Sequence, residues 1–584
     1  MNKMDEMKFL SDDNKSYWDK FELKKKMSNP RNKIFVEQIK KEAEFILNTN
    51  INILPFSLFK KFEENGSRKE YERVYFKRRK GMNSLVLSYL FFEDNKYLIK
   101  LEDLLWSICD EFTWCLPAHI STKENIKTWK CIDLFSAETA FTISEILYLL
   151  KDKLSKIVVE RLENEIFKRV LTPYMNSENV YWWENSQMNW SAVCGGSIGS
   201  TGIYILEDEV LLKSLLKKVL KTLDFYIKGF NDDGICKEGL EYWNYGFGFF
   251  VYFSDLLKKK SGINLFLDRK IREIAKFQQK CYLKDGVAVS FSDSDINFKF
   301  NQGLTSYLYK VYGGIEFFKE DYKTDFEEDN CFRWQSIFRN LIWDNNYKKL
   351  IKNKSYISKD SQWFVSHKYN KKKIYLAAKG GNNNEPHNHN DLGSFILKVN
   401  EEVVISDLGS GLYNKDYFNK NRYNNFCAGS QGHSVPVIDS YYQKSGRNSR
   451  TEIVDSTLSN EIDYFSLDFL NVYVENLKNF RRCFKLNKNG NIVLTINDKF
   501  NFIKEPKSVI ERFISVIRPE IDKNRIFFSN SQLILKSDIN CELDVSTTEY
   551  VNKKIDKIKV YIIDFSIVDL KKDIDINIDF FFDT

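Results

Sequence analysis

The period of the hydrophobic pattern changes once along this chain, near residue 355, and that change constrains the fold most. Between about residues 35 and 345, apolar residues recur at spacings of three and four, as in segments 35–48, 133–151 and 210–230. This period predicts long amphipathic helices that pack on one another. After about residue 360, short runs rich in Val, Ile, Phe and Tyr are separated by Gly, Asn and Asp. We therefore predict an α-helical domain at 1–355 and an antiparallel β-sandwich domain at 356–584.

Bulk properties of the chain narrow the classes of function. Its 584 residues exceed the size at which one core usually keeps growing, which supports two domains. The net charge of +7, from 88 basic and 81 acidic residues, is too small to indicate a nucleic-acid partner, but it allows a local basic groove for an acidic ligand. The first 20 residues lack a secretion signal, and no apolar run is long enough to span a membrane. Ten isolated cysteines fit a reducing compartment, so we predict a cytoplasmic protein, or an exported one whose signal has been removed.

Histidine is scarce in this chain, yet two of its five histidines are His387 and His389. Residues i and i+2 of an extended segment point the same way, so these two and Asp391 are predicted to share a face. Asp407 follows a predicted strand, and His433 precedes another. His389, Asp407 and His433 are plausible ligands for Zn²⁺. The alternative is that the histidines form hydrogen bonds at a sheet edge and the aspartate caps a turn.

Two stretches in the helical half mix aromatic residues with amides and carboxylates. They are "YWWENSQMNWSAVCGGSIGSTG" (181–202) and "DDGICKEGLEYWNYGFGFFVYF" (232–253). Aromatic rings stack on sugar faces and amides bind hydroxyls and carboxylates, so a sugar site is one interpretation. Burial of the same rings in a helical core is the other.

Basic residues give a weaker indication of an acidic ligand. The run at 77–80 is interpreted mainly as a solvated loop, with anion binding as the alternative. Arg422 lies in sequence between the candidate metal ligands, so we favour it for contact with an anion.

At this point the sequence resembles the heparinase II/III-like polysaccharide lyases. The resemblance rests on "PHNHNDLGSFIL", "EVVISDLGSGLY" and "GHSVPVI" in the strand-rich half. It is supported by "FTWCLPAH", "NWSAVCGG" and "EGLEYWNYG" in the helical half. The resemblance implies an incomplete (α/α) toroid followed by an antiparallel β-sandwich, which agrees with the change of period.

The resemblance also implies β-elimination at a uronic acid. Asn189 would neutralise the sugar carboxylate, Tyr245 would act as acid and, in a syn elimination, also as base, and His387 would be the second candidate base. Zn²⁺ on His389, Asp407 and His433 would organise the loop that carries His387. Together with the aromatic stretches, the resemblance implies that the substrate, an acidic and preferably glycosaminoglycan-type polysaccharide or oligosaccharide, contacts Trp114, His119, Trp190, Glu238, Tyr242, Trp243 and Arg422.

One departure and two rival functions remain open. Some relatives carry a histidine directly after the asparagine, where this chain has Trp190, so we expect either neutralisation of the carboxylate or the base of an anti elimination to differ. A glycoside hydrolase on the same scaffold would use paired carboxylates, either Glu238 with Glu241 or Asp232 with Asp233. A non-catalytic glycan-binding or surface-polysaccharide protein would keep the fold without needing Tyr245.

Overall fold

The protein is described here from a computed structural model that covers residue 9 and residues 17–120, 128–176, 180–345, 350–352, 354–369, 372–489 and 492–582. The chain divides into two compact units. The helical unit comprises Met1–Phe230, Tyr242–Ala275 and Lys299–Leu350. The strand unit comprises Asn231–Glu241, Lys276–Phe298 and Ile351–Thr584. Two short segments that lie among helices in the sequence therefore belong to the strand unit.

The amphipathic helices predicted for the first part of the chain are confirmed. Within the described ranges, every helix is too short or too polar to span a bilayer. In chain order the α-helices are α1 (Lys20–Met27), α2 (Lys33–Leu47), α3 (Phe56–Phe59), α4 (Lys61–Asn65), α5 (Lys69–Phe92), α6 (Asn95–Cys109), α7 (Leu134–Leu150), α8 (Lys156–Ile166), α9 (Thr172–Met175), α10 (Asn189–Ile205), α11 (Glu209–Lys228), α12 (Leu240–Tyr242), α13 (Gly248–Ser261), α14 (Arg269–Ala275), α15 (Phe277–Cys281), α16 (Gln302–Tyr312) and α17 (Trp334–Ile342).

Helix α10 lies at the centre of the packing in the helical unit. Its sequence is rich in Gly, Ser and Ala, so neighbouring helices can approach its backbone closely, and it packs against α7, α11 and α13. Helix α7 is also almost wholly buried, and a capping box formed by Asp133 and Ser136 fixes its start. Helix α1 contacts both α5 and the last helix, α17. This arrangement is the predicted (α/α) toroid.

The basic run at 77–80 is not a solvated loop. It lies inside α5, where the side chains of Arg78 and Arg79 are buried and both bind Glu111, at 2.8 and 2.6 Å. Lys80 pairs with Glu42 at 2.9 Å. The loop interpretation failed because charged residues on a buried helix face look like surface residues unless their partner, about 30 residues away in this case, is known.

The strand unit holds the predicted antiparallel strands. They are β1 (Tyr282–Lys284), β2 (Val287–Ala288), β3 (Tyr356–Ser358), β4 (Trp363–Tyr369), β5 (Lys373–Lys379), β6 (Asn382–Asn383), β7 (Phe395–Val399), β8 (Glu402–Ile405), β9 (Val437–Ile438), β10 (Gly446–Thr457), β11 (Ile462–Leu470), β12 (Leu477–Asn487), β13 (Ile492–Phe502), β14 (Val509–Ser515), β15 (Glu520–Asp522), β16 (Arg525–Phe528), β17 (Leu533–Ser537), β18 (Cys541–Val551), β19 (Lys557–Ile567) and β20 (Asp573–Phe582).

Three sheets of the strand unit pack on one hydrophobic core. Their strand orders are β15-β16-β17-β20-β13-β12-β11-β10-β6, β18-β19-β14-β9 and β3-β4-β5-β7-β8, and the strand pairs are antiparallel. Phe395 from β7 meets Phe484 from β12 and Phe513 from β14, with ring centroids 5.6 and 6.0 Å apart. One residue from each sheet therefore meets at a single point, which confirms the β-sandwich.

Candidate active site and metal centre

Asn189 is the first residue of α10 and is buried. A π-helical turn, Trp243–Phe247, leads into α13 and packs against α10. A Cβ atom added to Gly246 would lie 2.9 Å from the Cβ of Asn189 and 2.9 Å from the hydroxyl of Tyr226, which is closer than real Cβ atoms approach. Only glycine therefore allows this contact, and it holds Tyr245, one residue earlier, on the turn that touches Asn189.

The phenol of Tyr245 lies between a carboxyl group and a guanidinium group of the helical unit. Its hydroxyl donates a hydrogen bond to Glu138 of α7. The guanidinium carbon of Arg333 lies 4.0 Å from the centroid of its ring. Burial, and secondly the neighbouring carboxylate, raise the pKa of Tyr245 well above its ordinary value. Burial also raises the pKa of Glu138 to about 7, although Arg333 acts in the opposite direction. The phenol thus keeps its proton at neutral pH beside a carboxyl group that titrates there.

His119 and Trp190 form part of an aromatic surface in the helical unit. The Nε2 atom of His119 accepts a hydrogen bond from Arg68 at 3.1 Å. The ring proton therefore lies on Nδ1, which donates a hydrogen bond to Asp133 at 2.8 Å. The His119 ring lies 5.0 Å from the ring of Trp190. Trp190 in turn packs 4.9 Å from Trp182, whose side chain is 47% exposed. The structure thus brings two of the predicted substrate-contacting residues together and adds Trp182 to them.

The structure does not bring two other predicted substrate residues to a surface. Trp114 and Trp243 are each fully buried, and their indole N–H groups donate to the carbonyls of Ile108 and Ile274. Both rings are core residues of the helical unit, so the substrate contacts predicted for Trp114 and Trp243 are wrong; for Trp243 the alternative of burial in a helical core holds. Tyr242, the residue before Trp243, is half-buried.

In the strand unit, a single carboxylate organises the histidine segment. Asp293 is fully buried, and its Oδ1 accepts hydrogen bonds from His389 Nε2 at 3.0 Å, from the Tyr417 hydroxyl at 2.5 Å and from Arg422 at 3.0 Å. Its Oδ2 lies 2.8 Å from His387 Nδ1. Burial opposes ionisation, but the Arg422 charge and the two imidazoles outweigh it and hold the pKa of Asp293 well below its ordinary value. Sequence reasoning missed Asp293 because it follows β2, about 94 positions before His387, without a recognisable spacing.

The backbone at His387 differs from the extended segment that was predicted. His387 lies in a turn with φ of 56°, in the left-handed region that a side chain with a Cβ seldom adopts. Asp391 turns away and pairs with Lys379 at 2.8 Å, so it does not share a face with the two histidines. The histidines converge through Asp293 instead. On the far side of the imidazole, His387 Nε2 lies 3.7 Å from buried Glu238.

Arg422 supports this turn from within the protein. Its guanidinium donates to the carbonyls of Asn388 at 3.1 Å, Tyr417 at 3.2 Å and His387 at 3.1 Å, in addition to Asp293. Because these contacts occupy most of its donors, we interpret Arg422 as a positioning residue rather than as the anion contact that the sequence suggested.

The three predicted metal ligands lie together in the strand unit. His389, Asp407 and His433 are buried, and one ligand atom from each lies within 4.8 Å of the others. The atoms concerned, His389 Nδ1, Asp407 Oδ2 and His433 Nδ1, are buried and form no hydrogen bond among the described residues, although His433 Nδ1 lies 3.4 Å from Asp407 Oδ2. His389 Nε2 binds Asp293, and His433 Nε2 donates to the Cys427 carbonyl at 2.8 Å, so both imidazoles can direct a lone pair at the same point. Unpaired buried acceptors are costly, and a cation among them would remove that cost.

Comparisons with known proteins bear on the fold. No protein-family model and no curated protein sequence matches this chain. Solved structures do match. Heparinase III aligns over 95% of this chain and 92% of its own, with a TM-score of 0.64 and 13% identity. The heparan sulfate lyase HepC of Pedobacter heparinus aligns over 94% and 87%, with a TM-score of 0.59 and 13% identity.

A third solved structure extends the likeness to another lyase. The chondroitin AC lyase of Streptomyces coelicolor A3 aligns over 96% of this chain and 82% of its own, with a TM-score of 0.52 and 8% identity. Likeness over nearly the whole of each chain at such low identity establishes shared architecture. From its helical toroid to its antiparallel sandwich, this chain has the fold of heparinase III.

Proposed function

We propose that the protein is a polysaccharide lyase that cleaves uronic-acid glycans by β-elimination and leaves a 4,5-unsaturated uronosyl product. The observation that carries the proposal is the close contact of the Tyr245–Gly246 turn with Asn189. It holds a neutral amide and a protonated phenol on adjoining elements of one unit. β-Elimination needs such a pair, because the amide neutralises the sugar carboxylate and the phenol protonates the leaving oxygen.

The two candidate bases differ in their surroundings. Tyr245 has a raised pKa, which favours it as the acid that donates to the glycosidic oxygen. His387 is held at Nδ1 by Asp293, and this bond orients the imidazole so that Nε2 is directed away from the carboxylate. We assign proton abstraction from C5 to His387 and protonation of the leaving oxygen to Tyr245. A syn elimination in which Tyr245 does both remains the alternative that the experiment below separates.

The metal centre is proposed to hold Zn²⁺ on His389, Asp407 and His433. Two imidazoles and one carboxylate with unpaired buried acceptor atoms suit that ion. A bound zinc ion would supply fixed positive charge at this point. His389 is linked to His387 through Asp293, so a filled centre would keep the turn that carries His387 in one conformation.

The substrate class is proposed to be a glycosaminoglycan-type polysaccharide or oligosaccharide. The solved structures with this fold include proteins named as a heparan sulfate lyase and a chondroitin AC lyase. The aromatic surface of Trp182, Trp190 and His119, of which Trp182 is exposed and the other two partly buried, offers rings on which sugars stack. The cytoplasmic location predicted from the sequence stays a prediction.

The rival functions have less support. A hydrolase would need two carboxylates available to substrate and water. Asp233 instead accepts hydrogen bonds from the amide and hydroxyl of Ser361, at 2.9 and 3.0 Å. Glu241 pairs with Lys553 and accepts from the Asp295 amide. A purely glycan-binding protein would have no use for a buried phenol beside a titrating carboxyl group.

A panel of uronate polymers tests the reaction. Elimination produces a conjugated double bond, so ultraviolet absorbance rises without uptake of water. We expect a rise with at least one glycosaminoglycan and its loss in Tyr245→Phe, while Tyr441→Phe, which removes an exposed hydroxyl, keeps wild-type activity. Release of reducing ends without a rise in absorbance would support hydrolysis. Binding without either signal would support the non-catalytic function.

Variants of His387 then separate the two bases. If His387→Ala abolishes elimination while Tyr245→Phe is rescued by substrates with a good leaving group, the imidazole removes the proton and the phenol acts only as acid. Full activity of His387→Ala would assign both steps to Tyr245.

Elemental analysis tests the metal centre independently of activity. We expect about one zinc ion per wild-type chain and its loss in His389→Ala. His367→Ala is the control, because His367 is also buried but lies in β4 outside the three-residue cluster. Equal zinc content in all three proteins would contradict the assignment.

A further inference from the structure

A cavity of about 800 Å³ opens in the helical unit beside the C-terminal half of α13, the start of α14 and the end of α16. Its lining is rich in basic side chains. These are Lys258, Lys259, Arg269, Arg272 and Lys310. Only two acidic residues, Asp255 and Asp268, lie among the lining residues. We call this feature the basic cavity.

Most of the positive charge in the basic cavity is not neutralised by the protein. Lys259 pairs with Asp255 at 2.9 Å. In the part of the chain that the structure describes, Lys258, Arg269, Arg272 and Lys310 form no ion pair. Lys258, Arg269, Arg272 and Lys310 are exposed, so together with the lining carboxylates they give this concavity a net positive charge. A ligand with several negative charges would complement this charge.

The cavity also has aromatic walls. The ring of Phe266 lies 5.6 Å from that of Tyr307 and 6.4 Å from that of Tyr312. The Tyr307 hydroxyl is occupied by Asp255 at 2.8 Å. The Tyr312 hydroxyl is buried and has no hydrogen-bond partner among the described residues. Phe266 and Tyr307 are buried, so the rings form an apolar floor beneath the exposed cations, and it is the cations that select a ligand with several anionic groups.

This cavity is separate from the residues to which elimination is assigned. Helix α13 begins at Gly248, just after the turn that carries Tyr245, and Lys258 lies ten residues further along it. At 1.5 Å per residue, these two points are about 15 Å apart along the helix axis. A ligand in the basic cavity therefore does not occupy the position of the reacting sugar.

We propose that the basic cavity is a second binding site for an acidic glycan, which anchors a sulfated or carboxylated segment of a chain away from the reacting residue. The choice of ligand rests on the proposed function, whereas the cavity and its charge do not. A second point of attachment raises the local concentration of the polymer, so its effect is confined to long substrates.

Binding is measured first, without reference to catalysis. Gel electrophoresis through immobilised heparan sulfate compares wild type with the double variant Arg272→Gln and Lys310→Gln. The control, Lys41→Gln with Lys221→Gln, removes the same charge from exposed helix positions of the same unit. If each lost contact is worth what an exposed ion pair usually is, the apparent Kd should rise on the order of fivefold in the cavity variant alone. Equal retardation of the two double variants would overturn the proposal.

Single-stranded DNA serves as the competing polyanion in the same assay. We expect the cavity variant to lose affinity for heparan sulfate but not for DNA, because DNA binding at this net charge would be diffuse. A parallel loss for both would make the cavity a general anion site and overturn the assignment to glycans.

Chain length provides the kinetic test. With a polymer that the enzyme eliminates, the cavity variant should show a raised KM and an unchanged kcat, and with a tetrasaccharide of the same repeat both constants should equal those of wild type. A raised KM for the tetrasaccharide as well would overturn the remote anchoring role. Loss of retardation in a protein that eliminates no substrate would refute the lyase function and leave the binding site standing.

Discussion

Replacement of Glu138 by glutamine should remove a pH-dependent loss of stability from the helical unit. Glu138 is buried, accepts a hydrogen bond from the Tyr245 hydroxyl and has a pKa raised to about 7, chiefly by burial. Glutamine has nearly the same shape and keeps an acceptor for the phenol, but it does not ionise. The comparison therefore isolates the cost of charging one buried carboxyl group.

The sign and size of the effect follow from the two pKa values. Below about pH 4.5, Glu138 is protonated in both the folded and the unfolded chain, so it adds no dependence on pH. As the pH rises towards 7, the unfolded chain ionises freely while the folded chain retains its proton. Stability is therefore lost with rising pH. The interval between the model value of 4.5 and about 7 corresponds to about 3 kcal/mol, since each pH unit is worth about 1.4 kcal/mol.

Chemical denaturation at a series of pH values measures this effect. Between about pH 4 and about pH 8, the unfolding free energy of wild type should fall by about 3 kcal/mol relative to that of Glu138→Gln. Contributions from other titrating groups cancel in the difference. A constant difference across this range, or one that grows in favour of wild type, would show that Glu138 is ionised in the folded protein and would refute the protonated pair with Tyr245.

Two further substitutions probe the geometry of the candidate site. Gly246→Ala should destabilise the protein by about 1–3 kcal/mol and reduce elimination further, because its Cβ would displace Asn189, whereas Gly314→Ala, which has only one atom 3.9 Å from the added Cβ, should leave the Tm and activity almost unchanged. A Gly246→Ala protein with wild-type Tm and activity would disprove the close approach. Asp293→Asn should cost about 3–5 kcal/mol on denaturation and reduce kcat, since it removes the negative charge that compensates the largely buried Arg422 guanidinium and weakens the hold on His387. A change in the free energy of unfolding without any change in kcat would show that Asp293 does not position the His387 imidazole for the reaction.

Much of the fold follows from the sequence because the hydrophobic period reports which face of each element is buried. Helix α11 (Glu209–Lys228) closely matches the predicted amphipathic segment 210–230. The sequence also indicates His389, Asp407 and His433 as candidate ligands, because Asp407 and His433 stand beside predicted strands and the resemblance implies all three, and the structure places them together. Local spacing thus carries information wherever neighbouring elements share a sheet.

The remainder depends on partners that are distant in sequence. Asp293 reaches the histidine segment from about 94 positions away, and Glu138 reaches Tyr245 from 107 positions away. No local sequence pattern predicts either contact. Trp114 was misjudged for the same reason, because a tryptophan in a core and one in a sugar site look alike until the neighbours are known.

The left-handed backbone at position 387 has a consequence beyond this molecule. A residue with a Cβ loses about 1–2 kcal/mol in that conformation, which glycine avoids and asparagine tolerates best. Selection must therefore offset this loss for as long as an imidazole is useful there. If His387 is the base that we propose, relatives of this protein that have lost the activity should carry glycine or asparagine at 387, so that this one alignment position would separate active from inactive members.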